Sequence, residues 1–206
     1  NNLENEVQAN LITLAETASI SANAFQYGDG GRITLIADLN NHHSETHIDG
    51  SLSAWGGGLG GNGGFIETSA AILGVGGRAR INTSSSRGRQ GSWLLDPEDF
   101  TIAASGGNIT GSVLSTALGS NNVTIQTSAS TASCNGASCT SGTSGNGDIL
   151  VNDSISWTSS YTLTLSAYRN VTVSMPISLS GSTGAALNIY ANAASAASPS
   201  TAGSGS

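Results

Sequence analysis

The sequence predicts an all-β protein whose short strands stack as a β-solenoid. Short segments of roughly 4–7 residues alternate apolar residues with Thr, Ser or Asn, and Gly or Asn bounds each of them, as is typical of strands. Few of these segments are joined by the two-residue Asn-Gly or Asp-Gly turns that predict hairpins. No segment carries the long 3.6-residue period of a crossover helix, which excludes doubly wound α/β folds. A β-sandwich is the competing fold.

The strand pattern recurs along the whole chain. In the first half it covers residues 10–16, 31–38, 46–55, 64–69, 79–84 and 99–104. In the second half it covers residues 122–128, 148–153, 161–167, 170–175, 177–181 and 186–191. Because irregular connections separate the segments, we expect successive strands to stack on one another, with the apolar side chains on a shared axis.

Two phrases about thirty residues apart are the most specific part of the pattern. GGNGGFIETSA contains Gly63 and Gly64, which we expect to have a structural role. The second phrase, GSWLLDPEDFTI, contains the apolar residues Trp93, Leu94 and Leu95, followed by the turn residues Asp96 and Pro97. We expect the three apolar residues to be buried on the axis and Asp-Pro to turn the chain into a second half rich in Ser and Thr.

The composition limits the classes of function. The chain has 206 residues, only 9% of them charged, no Lys and a formal net charge of −7. Nucleic acid is not an expected partner, because phosphate binding requires a basic surface. The same charge gives no polybasic signal for a membrane surface, and no apolar run is long enough to span a bilayer. No cofactor motif is present, so we expect no cofactor.

The pattern divides the chain into three regions. Residues 1–104 form stacked coils that carry both phrases, and residues 105–192 continue the coils around an inserted loop at 130–147. Residues 193–206 form a low-complexity Ala/Ser/Gly tail leading to a further C-terminal part. Because neither end has the pattern of a capping element, we interpret the chain as an internal piece of a longer protein. The loop contains Cys134 and Cys139, which can form a local disulfide and are expected to do so in a secreted protein.

The phrases resemble a known family. GDGGRITLIAD, HIDGSLSAWGG, GGNGGFIETS and INTSSSRGRQGSWLLDPEDFTI occur in that order between residues 28 and 102. They resemble the filamentous-haemagglutinin-like exoproteins of Gram-negative two-partner secretion, and weaker matches extend to about residue 190. The resemblance implies a right-handed parallel β-helix, export through an outer-membrane two-partner secretion transporter, and a role in adhesion, aggregation or haem-protein capture. The family's N-terminal secretion domain has no match here, and the cysteine pair departs from the common pattern.

Two groups of residues are candidates for chemistry. His42, His43 and His47 lie near Glu45 and Asp49, but the stretch shows no helix, so solvated histidines on a loop or strand edge are expected in place of a metal site. The second group is acidic and lies beside Trp93; it consists of Asp96, Glu98 and Asp99. Paired carboxyl groups can hydrolyse glycosides. The turn interpretation of Asp-Pro is the stronger one, and we expect no catalytic residue.

Five Asn residues begin N-x-S/T sequons and are candidate glycosylation sites. They are Asn82, Asn108, Asn122, Asn152 and Asn170. A strand protein rich in Thr, Ser and Asn also produces such sequons by composition alone.

We therefore expect a structural, non-enzymatic shaft segment of a secreted or surface-displayed bacterial adhesin. Its partner would be a host-cell or matrix receptor, which includes a glycan, and contact would involve loops such as 130–147 or 42–49. The first alternative is a polysaccharide-acting β-helix enzyme that uses Asp96, Glu98 or Asp99. The second alternative is an exoprotein that captures haem or a haem carrier.

Overall fold

The structure, a computed structural model, describes residues 9–129, 145–180 and 183–192. The described residues are mostly β-strand with one short helix, and every strand pair among them is parallel. The prediction of an all-β protein is confirmed, as is the expectation that hairpins would be scarce. No helix in the described ranges has both the length and the apolar character that crossing a membrane requires.

The elements are short and follow one another closely. In the first half they are β1 (Leu11–Leu14), β2 (Ser19–Ser21), β3 (Arg32–Ile36), β4 (Glu45–Ile48), β5 (Ser51–Ser53), β6 (Phe65–Ser69), β7 (Ile72–Val75), β8 (Arg80–Asn82), β9 (Ser92–Asp96) and β10 (Phe100–Ile102). In the second half they are α1 (Gly111–Ala117), β11 (Asn122–Gln126), β12 (Ile149–Val151), β13 (Ile155–Trp157), β14 (Thr162–Ser166), β15 (Val171–Val173), β16 (Ile177–Leu179) and β17 (Ala186–Tyr190).

The pairing divides these elements into successive groups of three along the chain, beginning with β1, β2 and β3 and continuing with β4, β5 and β6. The first strands of successive groups pair as β1-β4-β7 and β10-β12-β15. The second strands pair as β2-β5-β8 and β13-β16, and the third strands form one six-stranded sheet, β3-β6-β9-β11-β14-β17. In the fourth group α1 occupies the place of the second strand, where it contacts β8 on one side and β13 on the other.

The core lies on the inner face of the six-stranded sheet. Ile66 pairs with Trp93, Trp93 with Val123, and Val123 with Leu163, so their side chains form one row across four strands. All four residues are fully buried. The indole Nε1–H of Trp93 donates a hydrogen bond of 3.1 Å to the hydroxyl of Thr68, which satisfies its one polar group in the core.

The WLL segment is only partly buried. Trp93 and Leu95 have no exposed surface, whereas Leu94 is half-buried and belongs to the alternate, outer face of the strand. The expectation that all three residues fill the axis was therefore wrong for Leu94. Side chains alternate between the two faces of a strand, so three consecutive residues cannot share one face.

Gly63 and Gly64 allow neighbouring backbones to approach one another closely. A Cβ at Gly63 would lie 1.9 Å from the carbonyl oxygen of Thr83, and one at Gly64 would lie 2.1 Å from that of Gly31. Both distances are far below any tolerated contact with rigid backbone. The glycines therefore allow the connection from β5 to β6 to pass close to the backbones on either side of it.

Four elements were not predicted from the sequence. β2, β7 and β13 have only three or four residues each, and α1 has seven. The helix begins at Gly111, and the hydroxyl of the preceding Thr110 caps it by accepting a hydrogen bond from the N–H of Val113. Leu114 and Leu118, one turn apart, are both fully buried and hold the helix on the core.

The six-stranded sheet crosses the expected boundary at residue 104, because β9 pairs directly with β11. The two halves are thus joined by strand pairing as well as by the chain. Cys134 and Cys139 lie outside the described residues, as does most of the 130–147 loop and the whole of the 193–206 tail.

Candidate functional site

A pocket of about 170 Å³ opens where the chain turns after β9. Four stretches of chain supply its lining residues, which are Leu39, Asn40 and His42, Ala70 and Ala71, Asp96 and Glu98, and Ser128 and Ala129. Four separate stretches of chain meet here because the turns at the ends of β3, β6, β9 and β11 lie at the same edge of the six-stranded sheet. We call this cavity the corner pocket.

His42 and Glu98 form one wall of the corner pocket. Nδ1 of His42 lies 2.5 Å from Oε1 of Glu98, although 56 residues separate them in the chain. The Glu98 side chain is 16% exposed, so water screens the contact only partly. The N–H of Glu98 also donates a hydrogen bond of 3.2 Å to the carbonyl oxygen of Ala71, which fixes the turn against the neighbouring strand end.

Asp96 forms a second wall and has an unusual environment. Its Oδ1 is buried and has no hydrogen-bond partner among the described residues. Burial, and after it the negative charge of Glu67, together raise the pKa of Asp96 from 3.8 to about 6. The register partner of Asp96 on β6 is Ser69, which is 1% exposed and whose hydroxyl likewise lacks a partner in the described part of the chain.

Asp99 belongs to a different site from the other two carboxyl groups. Its carboxylate accepts hydrogen bonds from the backbone N–H groups of Gly145 at 2.5 Å, Gly147 at 2.8 Å and Asp148 at 2.9 Å. The acidic group of the sequence is therefore divided, with Asp96 and Glu98 in the corner pocket and Asp99 holding a chain segment. Only Asp96 and Glu98 are placed to act on one ligand.

The same turn anchors both ends of the segment that contains the cysteines. On the N-terminal side, the N–H of Ser128 donates a hydrogen bond of 3.1 Å to the carbonyl oxygen of Pro97. On the C-terminal side, Asp99 holds the backbone of residues 145–148. Asp148 in turn accepts a bidentate pair of hydrogen bonds from Arg169, with 2.8 Å between Nε and Oδ1. This ion pair lowers the pKa of Asp148.

The histidines do not converge on one another. His42 turns to Glu98, whereas His47 lies on β4 and contacts Glu45 with 2.7 Å between Nε2 and Oε2. His43 is exposed at the turn before β4. In the described ranges no group of three or more His, Cys, Asp or Glu residues is arranged to hold a metal ion.

The sequons differ in accessibility. Asn152 and Asn170 are exposed on turns next to strands. Asn108 and Asn122 are half-buried, and their side-chain amides donate hydrogen bonds to the carbonyl oxygens of Leu73 and Gly91. The fifth, Asn82, is half-buried at the end of β8, where its oxygen accepts from the N–H and hydroxyl of Ser84.

The pairing of His42 with Glu98 was not predicted from the sequence. The two residues belong to motifs that were considered separately, and only the register of β3, β6 and β9 brings the two turns to the same edge. The position of each motif in the chain is a signal that could have linked them, since each follows a strand of the six-stranded sheet. His42 follows β3, and Glu98 follows β9.

No protein-family model matches this chain, and no curated protein or solved structure matches it. The residues and their geometry therefore carry the functional inference.

Proposed function

We propose that the chain is a segment of a right-handed parallel β-helix. The observation that carries the proposal is the recurrence of elements in threes, in which the third strand of every group pairs in parallel with the third strand of the next, and the first and second strands do so except between the third and fourth groups and beside α1. A chain that repeats this path rises by one strand spacing, about 4.8 Å, with each group. The right hand follows from the strong preference for right-handed connections between parallel strands.

The proposed role is that of a structural shaft in a secreted or surface-displayed bacterial adhesin of the filamentous-haemagglutinin-like kind. The two phrases that resemble this family lie on β6 and β9, which are neighbours in the six-stranded sheet. A stack in which each group contacts only its neighbours can be extended, so it gives reach from the cell surface. Export would use an outer-membrane two-partner secretion transporter, and the partner would be a host-cell or matrix receptor.

The segment between Ser128 and Gly145 is the proposed contact region. Its two ends are held by Pro97 and Asp99, which belong to the same rigid turn. Loops mounted on a rigid scaffold commonly carry the binding function of a protein. Because both anchors lie on one turn, the positions of the two ends of the segment are fixed independently of the sequence between them.

The adhesion proposal is tested by measuring the binding of the purified protein to epithelial cells and to immobilised matrix. Replacing residues 130–144 with a Gly/Ser segment of equal length should abolish binding, while replacing exposed Asn152 with Ala should leave it unchanged. Binding that persists after the loop replacement would contradict the assignment of the contact region. A pull-down from host plasma with the full protein distinguishes capture of a haem carrier from attachment to cells.

A polysaccharide-acting enzyme is the second candidate, and one observation favours it. Asp96 and Glu98 line the same pocket, and a pKa of about 6 lets Asp96 hold a proton near neutral pH. Incubation with a panel of acidic and neutral polysaccharides, with Glu98→Gln as the inactive control, tests it. If the wild-type protein releases no more reducing ends than Glu98→Gln, this function is excluded.

A further inference from the structure

Three long connections lie one above another where strands of the six-stranded sheet begin. They are residues 22–31, 54–64 and 83–91, which lead into β3, β6 and β9. The corresponding connections of the next two groups, 118–121 and 158–161, are much shorter. We call the three long connections the loop stack. It lies at the opposite edge of the sheet from the corner pocket, which is formed where the strands end.

Hydrogen bonds hold the loops of the stack to one another. Between the first and second loops, the N–H of Leu59 donates a hydrogen bond of 2.8 Å to the carbonyl oxygen of Gln26. Between the second and third loops, the N–H of Gly56 donates a hydrogen bond of 3.0 Å to the carbonyl oxygen of Ser84. The side chains of the loop stack are therefore carried on a preorganised backbone, which lowers the entropy cost of binding a partner.

The first two loops expose four large apolar side chains. Their exposed fractions are 91% for Phe25, 72% for Tyr27, 42% for Trp55 and 52% for Leu59. Single exposed apolar residues are ordinary, but a group of them on neighbouring loops marks a binding surface. Tyr and Trp are also enriched among the residues that contribute most to protein–protein binding.

The charged residues of the loop stack follow an order along it. The first loop contains Asp29, the second contains no charged residue, and the third contains Arg87 and Arg89. Hydrogen bonds from the N–H and the side-chain amide of Asn62 lower the pKa of Asp29, so its carboxylate is ionised at neutral pH. Both arginines are exposed, and within the described ranges neither has an ion-pair partner. The loop stack is thus negative at one end, apolar in the middle and positive at the other end.

We propose that the loop stack is a self-association surface, on which a second copy of this chain packs in antiparallel orientation. A two-fold axis through the second loop places Trp55 and Leu59 of both copies at the centre, as an apolar core without charges. The same axis places the first loop of each copy opposite the third loop of the other. Asp29 then faces the two arginines, and the exposed aromatic rings of the first loop face the same guanidinium groups.

The order of charges favours a second copy over other partners. Each copy carries the complement of both its own ends, so two copies match when antiparallel and repel when parallel. An anionic polymer or lipid headgroup would be repelled by Asp29 and by the net charge of −7. A neutral glycan requires polar side chains that are free to bind it, whereas the side-chain amides of Asn23 and Asn62 are engaged within the loops. The surface is separate from the contact region proposed for adhesion, and the proposal does not depend on that function.

Sedimentation velocity of the full chain at pH 7.5, from micromolar to millimolar concentration, tests the proposal. The mass should rise with concentration from 20.5 kDa toward twice that value. Leu59→Asp puts two like charges near the axis and removes an apolar contact, so it should weaken association at least about 10-fold. Met175→Asp is the matched control, because Met175 is an exposed apolar residue of the last group, outside the loop stack. It should leave association unchanged.

Disulfide cross-linking tests the antiparallel order. Gln26→Cys in the first loop and Ser86→Cys in the third, both at exposed positions, are made separately in a chain that carries Cys134→Ser and Cys139→Ser. On oxidation, a mixture of the two variants should form a mixed disulfide in higher yield than either variant forms with itself. Equivalent loops of an antiparallel pair lie two strand spacings apart along the stack, about 10 Å, whereas a disulfide requires Cα atoms within about 7 Å.

Three results would overturn the proposal. The first is a mass that stays at the monomer value over the whole concentration range, which would leave the loop stack to a glycan, a lipid surface or another protein. The second is an equal loss of association in Met175→Asp and Leu59→Asp, which would place the interface elsewhere. The third is self-cross-linking of Gln26→Cys in a yield equal to or above that of the mixture, which would contradict the antiparallel order.

Discussion

Replacing Asp96 with Asn is expected to stabilise the folded protein at neutral pH. The pKa of Asp96 rises from 3.8 to about 6 on folding because the carboxylate is buried and faces the charge of Glu67. A shift of about 2 units corresponds to about 3 kcal/mol at about 1.4 kcal/mol per unit, and ionised Asp96 disfavours the folded state by that amount. Asn removes the charge, but its buried oxygen is still without a partner, so about 3 kcal/mol is the upper limit of the gain.

The pH dependence distinguishes this cause from others. Because the folded-state pKa is raised, the penalty is fully present above about pH 6 and disappears as the pH falls toward the unfolded-state value of 3.8. The free energy of unfolding, measured with urea at pH 7.5 and at pH 4, should therefore differ between the wild-type protein and Asp96→Asn only at the higher pH. Asp49→Asn serves as the control. A variant that is less stable than wild type at pH 7.5, or equally stabilised at both values, would refute the reasoning.

Three further predictions concern other polar residues. Asn121 is fully buried; its side-chain oxygen accepts hydrogen bonds from Thr83, and its amide donates to two carbonyl oxygens. Asn121→Ala should therefore lower the free energy of unfolding, measured in urea titrations, by about 3 kcal/mol or more. A loss below about 1 kcal/mol would contradict this. The pKa of Asp148 is lowered in the folded state, so the stability that it contributes is present above its unfolded-state pKa of 3.8 and is lost in acid. The difference in urea midpoint between wild type and Asp148→Asn should therefore shrink as the pH falls below 3.8. A difference that stays constant with pH would contradict this. If the protein is glycosylated in its native host, peptide mass spectrometry should find the sugar at the exposed residues Asn152 and Asn170, and sugar confined to half-buried sequons would contradict the accessibility given by the structure.

Much of the strand content could be predicted from the sequence because each strand carries its own local signal. Alternation of apolar and hydroxyl residues located β6 and β14, for example, within one or two residues. The parallel arrangement followed from the lack of hairpin turns. The three-residue strands β2 and β13 were missed because so short a window does not by itself show a period.

The candidate site was less predictable, for a reason of geometry. The corner pocket depends on which turns share an edge of the six-stranded sheet, and that is fixed by the register of pairs separated by about thirty residues in the chain. His42 and Glu98 carry no mutual signal in the sequence. The division of Asp96 from Asp99 depends on where each side chain points after the turn, which local propensity does not specify.

The parallel pairing of successive groups of three is the central claim, and a methyl NOESY experiment tests it most directly. In a protein labelled at Ile, Leu and Val methyl groups, cross-peaks are predicted between Val123 and Leu163 and between Ile125 and Leu165, which are register partners on β11 and β14. The Trp93 ring should likewise contact the methyl groups of Ile66 and Val123. Cross-strand Hα–Hα contacts of the antiparallel type between β11 and β14, with these methyl cross-peaks missing, would contradict the account.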